Sequence, residues 1–350
     1  MNKLTKVGCS ALCGSLAAIS AAQAGSLTVT GGADMTWISK GGDVTGNPIG
    51  MGSNTSLKGS GELDNGWTFD LTIANANLQA FSTAAINLSM GGLGSLNFNQ
   101  GDSGNGIQAM DDKMPTAWEE AWGAGLSTGV RLVSGVGTSQ NIQYTSPTVG
   151  GTTFVVAYAP AMGAADVNDK ATSDPENSKD SGVDVTINVN PSLGTEILSG
   201  LNLFVGGHQT KVEAGGSIEE DMYQAVGGVT YDLGPISLGW MRAGEYTGQD
   251  AGATANFHTY KNTAYGIAFN VNDDLSVSYG KMENEKAGYN KSSIAEGAIE
   301  RELTVESWQV AYTMGGASVR IADIKADNVL WGANAGDDKK ATVVSLGLAF

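Results

Sequence analysis

Five carboxylates crowd one stretch of this chain. Asp102, Asp111, Asp112, Glu119 and Glu120 all fall within Gly101–Thr138, which reads GDSGNGIQAMDDKMPTAWEEAWGAGLSTGVRLVSGVGT. Acids this close can attract cations through their summed field. They can also ligate a hard cation through oxygen. Asp102 with Asp111 and Asp112 is the candidate Ca²⁺ set, although the spacing matches no known Ca²⁺ loop. Within the stretch, Asp111 to Trp122 reads as a short helix: Asp111 and Asp112 can cap it, and Pro115 suits a first turn. On such a helix Asp112 and Glu119 share a face. A connection this long inside a compact protein is usually functional.

Other chemistry is thinly represented. The chain has two histidines, His208 and His258, in unrelated segments and without metal-ligand spacing. Gly101-Asp-Ser-Gly104 looks like the nucleophile motif of trypsin-like proteases. Both histidines follow Ser103, however, which is the reverse of that family's order. No phosphate-cradling Gly-x-x-x-x-Gly-Lys occurs. A formal charge of −17 argues against nucleic acid as a partner. These features predict a protein that is not an enzyme and needs no organic cofactor.

The elements that must hold the acids are strands. Clean alternation flanks the acidic stretch, at Ser95-Leu-Asn-Phe-Asn99 and Asn141-Ile-Gln-Tyr-Thr145. The same period of two recurs along the chain. It is plainest over Gly182–Asn190, where Val183, Val185, Ile187 and Val189 oppose Asp184, Thr186, Asn188 and Asn190. Counted this way, sixteen strands run from Ser26 to Phe350, joined alternately by long polar loops and short Gly/Pro/Asn turns. The prolines sit in connections or at strand ends, where a closed sheet tolerates them. Aromatic residues gather near strand ends. Fifty glycines and only 16% charged residues suit a wall with one face in lipid.

Both ends carry signals. Lys3 and Lys6, the apolar run Val7–Ile19 and the Ala22-Gln23-Ala24 site read as a secretory signal peptide cut after Ala24, leaving Gly25 first. Cleavage would remove both cysteines and two lysines, so the remaining chain has no thiol chemistry and is more acidic still. At the other end, Val344, Leu346, Leu348 and Phe350 share one face of an alternating strand. A Phe in that position resembles the assembly signal of Gram-negative outer-membrane barrels. With the signal peptide, the alternating strands and the order of loops, residues 25–350 resemble the general porins, nearest the alphaproteobacterial, Rhodobacter-type group.

The resemblance implies an all-β fold: a sixteen-stranded antiparallel transmembrane barrel whose third long loop, 101–138, folds inward. It implies a homotrimer in outer-membrane lipid, inserted by the barrel-assembly machinery and passing ions and small hydrophilic solutes. It also implies that Asp111, Asp112, Glu119 and Glu120 line the narrowest point and face basic wall residues. Alternation supplies Lys58 and Arg320 as inward bases, and Arg131 lies in the loop's return limb. The better-known porins carry an arginine cluster on the wall opposite the loop. Here the second to fourth strands offer only Lys58, while Asp34, Glu62 and Asp70 also point inward. The expected pore is therefore modestly cation-selective. Two other functions are open to such a sequence: a non-conducting surface barrel or adhesin with acidic outer loops, and an outer-membrane hydrolase with Ser and His in its wall.

Overall fold

A computed structural model describes residues 25–41, 47–77, 82–101, 104–137, 139–163, 179–191, 196–212, 220–248, 256–289, 299–332 and 337–350. Residues 1–24, with the expected cleavage site, lie outside it.

Sixteen antiparallel strands close into one barrel, each paired with its sequence neighbours and the last with the first. They are β1 (Leu27–Gly41), β2 (Ile49–Glu62), β3 (Thr68–Ala76), β4 (Thr83–Ser89), β5 (Ser95–Gln100), β6 (Asn141–Thr145), β7 (Thr152–Ala159) and β8 (Lys179–Val189). Then follow β9 (Leu201–Val212), β10 (Met222–Leu233), β11 (Ile236–Tyr246), β12 (Asn256–Asn270), β13 (Leu275–Tyr289), β14 (Ile299–Met314), β15 (Ala317–Asp327) and β16 (Lys339–Ala349). A single helical turn, α1 (Glu196–Ser199), precedes β9. Among the described residues no helix is long and apolar enough to cross a membrane.

The alternation is inverted relative to a water-soluble sheet. On β8, Val183 and Val185 are 40% and 47% exposed, while Asp184 and Thr186, which alternate with them, are buried. On β16, Val344, Leu346 and Leu348 face out and Ser345 is buried within. Apolar side chains therefore cover the outside, as a lipid-facing wall requires, while the inward rows carry polar side chains except where they lie under the long connection after β5. Closure satisfies the backbone: an unpaired edge group would cost several kcal/mol in hydrocarbon. An aromatic row runs around part of the wall, with Trp240 paired to Tyr265 and Tyr279 to Trp308.

Phe350 completes the seam. Its N–H donates to the Gly31 carbonyl and Gly31 N–H donates back. Its ring lies over Gly31, where an added Cβ would sit 2.9 Å from the ring. Replacing Phe350 by Ala should therefore lower the yield of heat-modifiable barrel in membranes. A normal yield would remove this residue from assembly.

Candidate functional site

The 104–137 connection lies along the inner wall. Its outgoing limb packs Ile107, Met110 and Met114 onto Phe204, Val226, Met241, Ala264 and Met282 of β9 to β13. Further on, Ala121, Ala124 and Leu126 meet Leu303, Val305, Ile324, Ala341 and Val343 of β14 to β16. Each large side chain sealed there is worth about 1.5–3 kcal/mol. The hydrophobic core of this protein is thus the contact between one connection and the barrel interior.

Glycine makes room for it. Inward-facing Gly206, Gly239 and Gly266 lie beneath Ile107, Met114 and Pro115. A Cβ on Gly266 would come within 2.7 Å of the Pro115 carbonyl oxygen, and one on Gly206 within 2.8 Å of Ile107. Overpacking of this kind costs about 1–3 kcal/mol. Gly266→Val should lift the limb from the wall and leave the lipid face intact. Trypsin should then cut at Lys113 and Arg131 about tenfold faster than in the parent. Equal rates would show that the limb does not need this groove.

Buried polar side chains of the wall fasten the backbone. Asp184 accepts the N–H groups of Ile107 (2.9 Å) and Val136 (3.1 Å), so one carboxylate ties both limbs. His208 Nδ1 lies 2.5 Å from the same carboxylate, and its Nε2 lies 2.6 Å from Thr210 Oγ1. This Asp–His–Thr chain is sealed beneath the connection, with Thr210 1% exposed. It is an anchor with no reachable hydroxyl. Gln224 accepts from Ser134 and Gly135. Gln309 of β14 accepts from Trp118 and Glu119 and donates to the Glu119 carbonyl. Ser278 of β13 accepts from Ala117.

These partners correct one expectation. Asp111–Trp122 is not a helix: a 3-10 turn occupies Gly106–Met110, and turns and bends follow. The Ala117, Trp118 and Glu119 N–H groups, which a helix would bond internally, are taken by Ser278 and Gln309, and the Met114 N–H is taken by the Glu120 side chain at 2.7 Å.

The four acids remain together on this shelf. Asp112 and Glu119 are exposed to the lumen, Asp111 is half-buried, and Glu120 is 7% exposed with Oε2 unpartnered. Burial pushes Glu120 up to about 8. It pushes Asp111 up to about 7, with the neighbouring Asp112 charge adding to the rise. Burial also raises Asp112, against the Trp122 indole N–H at 3.3 Å. Glu119 is raised by burial and by Asp112, with Arg320 opposing.

The expected bases divide. Arg320 of β15 reaches the acids: it influences Glu119 and stacks 5.6 Å from the Trp118 ring, with its Nε donating to Ser318. Lys58 faces inward from β2 but pairs with Asp70 at 3.2 Å. Arg131 is drawn to the wall by two bonds to Glu245, at 2.6 and 2.8 Å, and lies over Tyr260. Its charge is spent there. Sequence reasoning missed Trp118, Glu245, Gln309 and the inward glycines. Glycine at inward positions of otherwise alternating strands was the available signal. Asp102 lies outside the described residues, and among those described no group of three His, Cys, Asp or Glu is placed to hold a metal ion.

The sequence model of the Gram-negative porin family matches residues 8–350. The chain belongs to this family. The porin shares its fold with solved structures of low identity. Outer-membrane expressed OmpT of Vibrio cholerae superposes with a TM-score of 0.64 at 11% identity, covering 93% of this chain and 98% of its own. An anion-selective porin from Comamonas acidovorans gives 0.62 at 16% identity, covering 93% and 100%. Salmonella typhi OmpF, in complex with daunomycin, gives 0.61 at 12%, covering 93% and 97%. No curated protein matches. The porin is thus an outer-membrane channel protein, built as a closed sixteen-stranded barrel.

Proposed function

We propose that this porin is a passive diffusion channel for ions and small hydrophilic solutes, modestly selective for cations. One observation carries the reading: Asp111, Asp112, Glu119 and Glu120 stand together on a shelf inside the lumen, while two of the three expected bases are paired with Asp70 and Glu245. Of these three only Arg320 reaches the acids, through Glu119, while Lys113 of the connection itself lies near Asp111. Carboxylates concentrated in a narrow aqueous passage attract cations and repel anions. The Comamonas acidovorans porin is anion-selective, and at such low identity the sign of selectivity follows local charge. Transport of this kind needs neither a cofactor nor a catalytic group.

Purified protein in a planar bilayer should give steady single-channel current, with a reversal potential of cation-selective sign in a KCl gradient. An adhesin-like barrel or a hydrolase would give no steady current. An anion-selective sign would overturn the role of the acids.

We also propose cleavage after Ala24 and assembly as a homotrimer, in keeping with a Vibrio cholerae OmpT solved in a trimer form. Native mass spectrometry of membrane-extracted protein should find three copies, each beginning at Gly25. Retention of residues 1–24, or a single copy, would count against the respective claim.

A further inference from the structure

Below the shelf, on the side of the short turns, lies a chamber of about 540 Å³. That volume falls within the range of small-molecule sites, about 300–1,000 Å³. Its lining includes Lys113, Thr148, Thr153, Asn188, Asn190 and Asn202, and no carboxylate among the described residues. In so acidic a protein this is a local reversal. Asp111 is near enough to feel Lys113, yet neither Asp111 nor Asp112 lines the chamber.

Lys113 is exposed and makes no hydrogen bond or ion pair with another described residue. It contrasts with Lys58 and Arg131, which are neutralised by wall acids. The amides opposite are held in place. Asn190 Nδ2 donates to Asn202 Oδ1 at 2.9 Å and to the Ser199 carbonyl at 3.2 Å, which leaves Asn190 Oδ1 to accept. The hydroxyls of Thr148 and Thr153 lie 2.9 Å apart. One ammonium therefore faces a fixed set of neutral donors and acceptors. A ligand that satisfies both has one negative charge and several hydroxyl groups.

We propose that this chamber is a solute subsite for small polyhydroxylated monocarboxylates, with Lys113 taking the carboxylate and the Asn/Thr wall taking the hydroxyls. The subsite rests on the reading of the protein as a conducting pore. It refines that reading, because an acidic shelf that slows such anions would be followed by a site that holds them briefly.

The test uses gluconate as probe, with acetate (charge without hydroxyls) and sorbitol (hydroxyls without charge) as controls. Each is added to the short-turn side of single channels of the parent and of Lys113→Gln in KCl. Gluconate should interrupt the parent current more often than either control. Lys113→Gln should lower its apparent association about fivefold, the effect of one charge contact in a wet lumen. Equal interruption of both proteins would overturn the subsite, as would gluconate acting no more strongly than acetate and sorbitol. An absence of steady current in either protein would instead overturn the pore reading, and the subsite with it.

Discussion

Replacing Asp111, Asp112, Glu119 and Glu120 by Asn and Gln should move the reversal potential in a KCl gradient toward zero and largely preserve conductance. The permeability ratio of cation to anion should fall about fivefold, since a unit charge in a water-filled passage is worth about 1 kcal/mol to an ion at 4 Å. The four acids should not contribute equally. At neutral pH Glu120, raised to about 8, is mostly protonated, and Asp111, raised to about 7, is about half charged. Asp112 and Glu119 are the two exposed to the lumen. Asp112→Asn with Glu119→Gln should therefore produce most of the effect at pH 7, and the other pair should add to it only at higher pH. Salt will weaken all of it, because the Debye length shrinks to about 3 Å at 1 M. A matched control neutralises Asp166, Asp169, Asp174 and Glu176 in the loop between β7 and β8, outside the described residues. Should both sets act alike, the shelf does not set selectivity.

Cation selectivity should also rise with pH in two overlapping steps, near 7 and near 8, as Asp111 and then Glu120 lose their protons. Glu120→Gln should abolish the upper step and leave the lower. A flat profile between pH 6 and 9 would show that neither group titrates at the passage. Stability should follow the opposite course. Both carboxyls keep their protons in the native state well above the ordinary carboxylate range, so between about pH 4 and 8 the native state binds more protons than the unfolded one. Raising pH through that window removes stability, because Glu120 must ionise while 7% exposed and with Oε2 unpartnered. Glu120→Gln should flatten this decline in the temperature at which 104–137 becomes cleavable by protease.

The strands were readable because their signal is local. A period of two with apolar residues on one side fixes both the ladder and the face: the alternating run Asn141–Thr145 is β6 to the residue, and Ser95–Asn99 falls within β5 (Ser95–Gln100). The upper ends were not readable. β12 reaches back to Asn256 and β13 runs on to Tyr289. There the outward row turns polar, with Lys261, Lys281, Glu283 and Glu285, so the pattern fades while the hydrogen-bond ladder goes on. The shelf's position could be anticipated from loop order, but its conformation could not. Ser278 and Gln309 decide whether Ala117, Trp118 and Glu119 bond locally, and both lie far along the chain. The pairing of Arg131 with Glu245 is non-local in the same way. Resemblance could place Arg131 near the passage and could not reveal that its charge is already answered.

The seam between β1 and β16, sealed by the mutual bonds of Gly31 and Phe350, has a consequence for timing. Every other strand pair joins neighbours in sequence, and these can form as soon as both strands exist. The seam joins the first strand to the last and can form only after all the others. Contacts of such sequence separation come slowly, since closing the intervening chain must be met before they return anything. Until closure, β1 and β16 each present a row of unpaired backbone groups, which is a template for joining another copy. The vulnerable species in the life of this protein is therefore the nearly complete, open sheet. Conditions that prolong it should appear as oligomers linked edge to edge, even where the finished barrel is fully stable.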